Sequence, residues 1–389
     1  MTLKRSEIQK TASAYDTKKI TIGVLGSHSA EEVGAAAKAF GMQTAVICQK
    51  GRDELYTKYS KHLFDIQITL DKFSDLADAE VQDRLIELNT VFLPNRSFSV
   101  YLGYDRIEGK FRVPLYGTRS ILRSEERSEP KNQYWLLEKA GIKTPKKFSK
   151  PEKIDRMAIV KVQQKARPLE RAFFYAKSPE EYYERSQAMV KDGLIDGKDL
   201  KKARIEEYVL GQKFNANFQS WALKESFDDF DFVGFDDRKQ TNLHGVLELP
   251  AREQLLLDST VTNEEVGHYG LTMRESHKPL AYKAAEQFLK VCKKEYPPGM
   301  IGSFALQGAL AQNPDDPKKG IAFYVFDLSP RVPGSPSLGP TSPEMRRLTL
   351  KYSRLLGKHN AERIEAQMDL SILEIKEAAS QGRLSEVVT

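Results

Sequence analysis

The sequence ITIGVLGSHSAEEVGAAAKAFG, residues 20–41, is an apolar β-branched run followed by a glycine turn and a helical pattern. This order predicts a strand, a turn and a helix, the unit with which many nucleotide-binding α/β domains begin. Local signals explain the helix, since Ser29 and Glu32 match a capping box and Gly41 stands at the helix end. They do not explain His28, whose position before the helix predicts either a local backbone contact or contact with a ligand.

The segments that follow give the fold class. The first turn has neither the glycine spacing of a dinucleotide-binding fold nor the lysine of a P-loop. Strand-like and helical segments alternate up to about residue 125, which predicts a mainly parallel sheet covered by helices. AIVKV (158–162) and RAFFYA (171–176) resemble an antiparallel pair, and four long strand-like runs follow between residues 213 and 329. We therefore expect an α/β part followed by an α+β part.

Composition excludes several classes of protein. The 389 residues carry a formal net charge of +6 that is spread along the chain, so we expect no nucleic-acid partner. No apolar run approaches the ~20 residues needed to cross a bilayer, and residues 1–19 lack the apolar centre of a secretory signal. We expect a cytoplasmic protein with no membrane partner. Cys48 and Cys292 lie in apolar stretches, so we expect neither a disulfide nor a zinc site.

A second set of residues indicates ATP chemistry. Lys161 lies on a predicted strand, an acidic hinge RIEEYVLG (204–211) follows, and Gln307 and Asp327 lie on two late strands. A lysine neutralises ATP phosphates, a hinge offers backbone groups to adenine, and side-chain oxygens on neighbouring strands hold Mg²⁺ between the phosphates. This is the order of parts in an ATP-grasp ligase.

Eight segments together resemble one ATP-grasp family, the formate-dependent 5-formaminoimidazole-4-carboxamide ribonucleotide synthetases. The resemblance runs from about residue 20 to about residue 355, and its most specific pieces are the Ser-His-Ser turn and the Pro-Pro-Gly-Met-Ile-Gly run. The segments are GVLGSHSA (23–30), LPNRSFSVYLG (93–103), YWLLEKAGIKTP (134–145), IEEYVLG (205–211), VGFDDRKQTN (233–242), LTMRES (271–276), YPPGMIGSFALQ (296–307) and FDLSPR (326–331).

The resemblance implies an ATP-grasp fold preceded by a Rossmann-like N-terminal domain. The implied reaction joins formate to the exocyclic amine of 5-aminoimidazole-4-carboxamide ribonucleotide (AICAR) in purine biosynthesis, and ATP is split to ADP and phosphate through formyl phosphate. ATP and Mg²⁺, or Mn²⁺, are the implied cofactors. Formate and AICAR are the implied partners, and a trimeric or hexameric homo-oligomer is the implied assembly.

The resemblance also assigns site residues. The catalytic residues would be His28, Lys161 and Arg171. AICAR would contact His28, Ser97 and His268. ATP would contact Lys161, Arg171, Glu206, Glu207, Tyr208, Val209 and Gln240. The metal ligands would be Gln307 and Asp327.

The chain also departs from the family pattern. A glycine-rich phosphate loop is replaced by QQKARPLERAFF (163–174), and we expect residues 163–170 to form a lid whose Lys165, Arg167 and Arg171 clamp phosphate. His268 stands where the family has asparagine, and no Gly-Thr-Asn is evident in VPGSPS (332–337). Glutamates of the family are replaced at two positions, Gln240 and Asp327.

These departures leave two alternatives to the ligase interpretation. One is a divergent ATP-grasp paralogue with another carboxylate and amine, and the other is a non-catalytic nucleotide-binding regulatory subunit. For the ligase we expect an N-terminal arm (1–18), a Rossmann-like domain that binds the ribonucleotide (19–125), an ATP-grasp small subdomain with the phosphate lid (126–210), and a large subdomain with the metal site and C-terminal helices (211–389).

Overall fold

The N-terminal part of the chain forms a four-stranded parallel sheet. The computed structural model describes residues 2–162, 172–240, 243–257, 265–314, 318, 320–334 and 342–389. In the sheet the strand order is β3-β2-β1-β4. The elements are α1 (Arg5–Ser13), β1 (Thr21–Leu25), α2 (Ala30–Ala39), β2 (Gln43–Gln49), β3 (Ile66–Leu70), α3 (Ala79–Glu87), β4 (Thr90–Leu93), α4 (Arg96–Leu102) and α5 (Tyr104–Gly109).

The central strand β1 shows why this sheet is parallel. All five of its residues are buried, and it pairs in parallel with β2 on one side and β4 on the other. Continuous apolar runs of this kind suit strands that helices cover on both faces. The alternating pattern of the first 125 residues therefore predicts the observed sheet correctly.

A smaller antiparallel sheet follows, with strand order β5-β8-β6-β7. The predicted antiparallel pair is confirmed, because β6 and β7 are register partners from Ala158–Ala176 to Val162–Ala172. The elements are α6 (Gln133–Lys139), β5 (Lys147–Phe148), β6 (Ala158–Val162), β7 (Ala172–Ala176), α7 (Pro179–Lys191), α8 (Gly197–Leu200) and β8 (Arg204–Glu207).

The third sheet is antiparallel, with five strands in the order β11-β10-β9-β12-β13. Aromatic side chains of β9, β10 and β12 pack beneath it against α11, around the buried Phe288. The elements are β9 (Gln212–Ser220), β10 (Phe230–Gln240), α9 (Leu243–Leu247), α10 (Ala251–Gln254), β11 (Glu265–Leu271), α11 (Lys278–Glu295), β12 (Gly302–Gln312), β13 (Ile321–Ser329), α12 (Pro343–Lys351), α13 (Ser353–Lys358) and α14 (Gln367–Ser380).

Helix α14 joins the parallel sheet to the large antiparallel sheet. It packs in the same apolar cluster as α1, α2 and β1. Its fully buried Glu374 accepts a hydrogen bond from the Tyr116 hydroxyl at 2.7 Å and others from the backbone N–H groups of Ala222 and Leu223. Burial raises the pKa of this carboxyl. One buried acid therefore connects the region after the first sheet, the end of β9 and the last helix.

The start of α2 differs from the prediction. Ser29 has a left-handed backbone, with φ of 74°, and its hydroxyl donates to the carbonyl of Pro333 at 3.0 Å rather than capping the helix. The predicted capping box is therefore wrong. The serine instead holds the segment that follows β13 against the first turn.

Among the described residues, no helix combines the length and apolar character needed to cross a bilayer.

Asn95 fixes the two loops at the carboxyl ends of β1 and β4. It is the N-cap of α4, accepting from the Phe98 N–H at 3.0 Å, and it donates to the carbonyls of Leu25 and His28. Asn95→Ala leaves these buried groups unpaired, so we expect a loss of about 2–3 kcal/mol in the free energy of unfolding.

Urea denaturation measures this loss, with Asn95→Ser as the matched variant. Serine keeps a capping oxygen but is too short to reach both carbonyls, so its loss should be intermediate. Equal stability of Asn95→Ala and the wild type would contradict the prediction.

Candidate active site

Two of the predicted substrate residues meet at one carboxylate. His28 follows β1, whereas Glu265 and His268 lie on β11 at the edge of the large sheet. Nε2 of His28 is 3.3 Å from Oε1 of Glu265, and Nε2 of His268 is 2.8 Å from the same oxygen. The turn after β1 and the edge strand of the large sheet therefore bring His28 and His268 together, and we call the space between these two elements the cleft.

A buried acid holds the other side of His268. Asp236 on β10 is fully buried and lies 2.5 Å from Nδ1 of His268. Its carboxylate also accepts hydrogen bonds from the amides of Asn215 and Asn217 on β9. Burial opposes a charge on His268, but the hydrogen bonds to Asp236 and Glu265 outweigh it and raise the pKa of His268 to about 9. At neutral pH this ring is an imidazolium that donates from both nitrogens.

Glu265 is ionised for a related reason. Burial alone would raise its pKa, but the hydrogen bonds from His268 and His28 and the charge of Arg238 outweigh burial and hold the pKa well below its usual range. Nε of Arg238 is 2.6 Å from Oε2 of Glu265. Nη2 of the same arginine donates to Oε1 of Gln307 at 3.4 Å. Arg238 thus extends the polar network from the two histidines to a predicted metal ligand.

The two predicted metal ligands are neighbours. Gln307 on β12 and Asp327 on β13 are register partners in the large sheet. Nε2 of Gln307 donates to the Ser329 hydroxyl at 3.2 Å, and Oδ2 of Asp327 is 3.8 Å from Nη2 of Arg127. An amide oxygen and a carboxylate are the hard donors that Mg²⁺ prefers. In the structure the Gln307 oxygen accepts from Arg238, and the Asp327 carboxylate faces Arg127.

Lys161 is held by a predicted ATP residue. Its Nζ is 2.6 Å from Oε2 of the buried Glu206, which also pairs with Arg204. Burial would raise the pKa of Glu206, but the two cations lower it overall. Nζ of Lys161 also lies 5.7 Å from the ring centre of Phe326, the residue before Asp327. The lysine therefore lies between the small sheet and β13, the strand that carries Asp327.

The other hinge residues connect the two antiparallel sheets. The Tyr208 N–H donates to the Met157 carbonyl at 2.8 Å, and the Glu207 carboxylate lies 3.6 Å from Arg156. Val209 is buried in an apolar cluster with residues of β12 and β13, including Ala309 and Tyr324. The hinge is consequently anchored on both sides.

Gln240 and Ser97 lie at opposite ends of the site. Gln240 ends β10 opposite Glu265, and its N–H donates to Nδ1 of His244 at 3.0 Å. Ser97 lies in the first turn of α4, and its Oγ is 2.7 Å from Oγ of Ser27 in the turn that carries His28. Gln240 is thus adjacent to the histidine network, and Ser97 borders the turn.

Two arginines beside the start of α4 pair with one glutamate. Glu125 pairs with Arg331, which follows β13, at 2.7 Å and with Arg96 at 3.3 Å. These cations border the N-terminal turn and suit an anionic ligand.

The predicted lid, residues 163–170, and the phosphate residue Arg171 lie outside the described residues. Both stay predictions.

Sequence reasoning missed three residues of the network, Asp236, Arg238 and Glu265. Part of the signal was present, because Asn215 and Asn217 alternate with apolar residues and so lie on one face of a buried strand. Two buried amides on one face require polar partners. Glu265 gave no such signal, because its role depends on where the edge strand β11 meets the N-terminal turn.

The pKa of His268 gives a prediction on stability. Since the folded value of about 9 exceeds the ordinary 6.5, protonation of His268 stabilises the fold fully below pH 6.5 and ceases to do so as pH rises through 9. In chelator-containing buffer the free energy of unfolding should fall over this interval by about 1–3 kcal/mol. His268→Asn removes the titrating ring and should flatten the profile measured by urea denaturation. Parallel profiles of the two proteins would contradict the assignment.

Comparisons with known proteins agree with these features. Two family models match the chain: "Protein of unknown function (DUF1246)" over residues 22–148 and "Domain of unknown function (DUF1297)" over residues 181–389. A 5-formaminoimidazole-4-carboxamide-1-(β)-D-ribofuranosyl 5'-monophosphate synthetase of Methanopyrus kandleri is 34% identical over 389 residues, covering 100% of both chains. The enzyme of that name from Methanothermobacter thermautotrophicus is 35% identical, covering 99% of both.

Solved structures show the same fold. An IMP biosynthesis protein PurP from Thermococcus kodakaraensis superposes with a TM-score of 0.65 at 20% identity, covering 95% of this chain and 100% of that one. N5-carboxyaminoimidazole synthetase from Staphylococcus aureus, complexed with ADP, has a TM-score of 0.53 at 12% identity, covering 94% and 79%. The predicted fold, ATP-grasp after a Rossmann-like domain, is confirmed. With full-length relatives at 34–35% identity, the chain belongs to the family of 5-formaminoimidazole-4-carboxamide-1-(β)-D-ribofuranosyl 5'-monophosphate synthetases.

Proposed function

We propose that this protein is an ATP-dependent carbon–nitrogen ligase that formylates AICAR with formate in purine biosynthesis. Membership of the family supports this function. The observation that carries it is the continuous polar network from His28 through Glu265 and Arg238 to Gln307. It joins the residues expected at the ribonucleotide to the pair expected at the metal, as a reaction between AICAR and an ATP-activated acid requires.

The proposed reaction has two steps. An oxygen of formate attacks the γ-phosphorus of ATP, which gives formyl phosphate and ADP. The exocyclic amine of AICAR then attacks the formyl carbon, phosphate leaves, and the amine loses a proton. Neither step needs a covalent bond to the protein, so the residues contribute by positioning and by neutralising charge.

Lys161 and Arg171 would contact the ATP phosphates in this proposal, and the hinge from Glu206 to Val209 would contact adenine. Gln307 and Asp327 would hold Mg²⁺, which neutralises phosphate charge when bound. Nζ of Lys161 lies 5.7 Å from the ring centre of Phe326, the residue before Asp327. The same nitrogen pairs with Glu206 of the small sheet.

His28 would act at the AICAR amine, with Ser97 as a further contact. Nε2 of His28 lies 3.3 Å from Oε1 of Glu265, and a neutral imidazole offers one acceptor nitrogen. That nitrogen can position the weakly nucleophilic amine or take its proton. His268 is fully hydrogen-bonded as an imidazolium, so it would orient Glu265 rather than act as the base.

Assembly, location and domain roles complete the proposal. We expect a homo-oligomer in the cytoplasm, with the Rossmann-like domain (19–125) binding the ribonucleotide and residues 126–389 binding ATP and metal. Family resemblance supports each of these assignments.

His28→Ala tests the ribonucleotide site. We expect AICAR binding to weaken by about 1–3 kcal/mol, the cost of removing one partner of a polar contact, with little change in ATP affinity. Calorimetric titration with each ligand separately measures this, and His62→Ala, at an exposed histidine away from the cleft, is the control. An equal loss for both ligands, or no loss for either, would rule out the assignment.

Asp327→Asn tests the metal pair and turnover. The wild type should release ADP only when Mg²⁺, formate and AICAR are all present. The variant should do so at least ~100-fold more slowly, because about 2.7 kcal/mol of transition-state stabilisation is lost. Asp71→Asn, at an exposed aspartate, is the matched control.

Two results would favour the alternatives. ADP formation with another carboxylate or amine, but not with formate and AICAR, would indicate a divergent ligase. Tight nucleotide binding without ADP formation in any combination would indicate a non-catalytic subunit.

A further inference from the structure

Three side chains that can ligate a metal converge in the cleft. One ligand atom each from His28, Glu265 and His268 lies within 4.8 Å of the other two. Nε2 of each imidazole faces Oε1 of Glu265, at 3.3 Å for His28 and 2.8 Å for His268. Two imidazole nitrogens and one carboxylate oxygen are a common ligand set of divalent transition metals.

Partners behind two of these ligands fix their orientation. Asp236 lies 2.5 Å from Nδ1 of His268, which directs Nε2 toward the cluster. Arg238 holds Oε2 of Glu265 at 2.6 Å, which directs Oε1 toward both imidazoles. A carboxylate on the far nitrogen of a ligating histidine is the usual outer-shell arrangement at metal sites, where it fixes the ring and raises its basicity.

The backbone passes beside the three ligand atoms at Gly334, which has no side chain to fill the space next to them. A Cβ at Gly334 would lie 2.7 Å from Nε2 of His28, 3.1 Å from Oε1 of Glu265 and 3.2 Å from Nε2 of His268. Gly334 therefore covers one side of the three ligand atoms, and any side chain there would crowd them. On another side His28 keeps 48% of its side chain exposed, so an ion has access from solvent.

We propose that His28, Glu265 and His268 form a binding site for a divalent transition metal ion of the Zn²⁺, Co²⁺, Mn²⁺ or Fe²⁺ class. The site is distinct from the Gln307–Asp327 pair, because its donors are mainly nitrogen and Mg²⁺ prefers oxygen. Three protein ligands leave a coordination position for water or a ligand group. The ion would displace the proton that Nε2 of His268 carries in the metal-free protein, because a ligating imidazole nitrogen must be unprotonated. The proposal goes beyond the ligase function and differs from the sequence-based expectation of no zinc site, which considered only the two cysteines.

Metal titration of the whole chain tests the site. Tag-free protein is stripped with chelator, dialysed, and titrated with ZnCl₂ in a large excess of Mg²⁺, without ATP, formate or AICAR. We expect one Zn²⁺ per chain by calorimetry, and with Co²⁺ a visible d–d absorption of low-symmetry coordination. Because no substrate is present, this result is independent of whether the ligase reaction occurs.

Variants locate the ion. Glu265→Gln, His268→Asn and His28→Gln should each weaken Zn²⁺ binding by more than about 100-fold, beyond the 10–100-fold typical of losing an outer-shell partner. His62→Asn removes an exposed histidine elsewhere and should bind like the wild type. Gly334→Ala keeps all three ligands and should weaken binding by crowding them.

His28 is half exposed, so His28→Gln should fold even where the buried variants do not, and circular dichroism verifies this. A wild type that takes up no Zn²⁺ in excess Mg²⁺ would overturn the proposal. Retention of wild-type affinity in folded His28→Gln would overturn it equally, because the ion would then be bound elsewhere.

Discussion

The burial of Asp236 is the constraint around which the site is arranged. A carboxylate with no solvent contact is stable only when its oxygens are fully paired, because an unpaired buried charge costs several kcal/mol. Asn215 and Asn217 on the neighbouring strand supply two donors, and His268 supplies the third as a cation. The charge on Asp236 thereby sets the protonation of His268, and that proton in turn holds Glu265 ionised at the mouth of the cleft.

This arrangement gives the two histidines different roles although both contact Glu265. His268 is enclosed, with 8% of its side chain exposed, and its nitrogens are both engaged. His28 is half exposed and lies against Glu265 and the His268 ring, so its ring is the one that a ligand can reach. The difference comes from the elements that carry them, since His268 lies on a strand within a sheet and His28 on a turn where a parallel strand ends.

The sequence was sufficient for the fold class and for much of the site. Period-two and helical patterns predicted a parallel sheet, an antiparallel strand pair and later strands. The order of Lys161, the hinge, Gln307 and Asp327 predicted that the last two lie on adjacent strands, where they are register partners. The capping role of Ser29 was wrong because a distant carbonyl, that of Pro333, competes for its hydroxyl. Glu265 was missed for the same reason. Two of its partners, His28 and Arg238, come from other elements, and no local pattern in β11 indicates them.

The hydrogen bond from Ser29 to Pro333 spans 304 residues of chain, and the Val332 N–H donates to the Pro94 carbonyl beside it. Loop closure over such a length is costly in entropy, so these contacts form only after the sheets between them have folded. During synthesis, the first turn emerges from the ribosome long before its partner segment. The nascent parallel sheet must therefore persist with its cleft face uncovered, and no ligand that needs both sides of the cleft can stabilise the polypeptide until residues 332 and 333 have been synthesised.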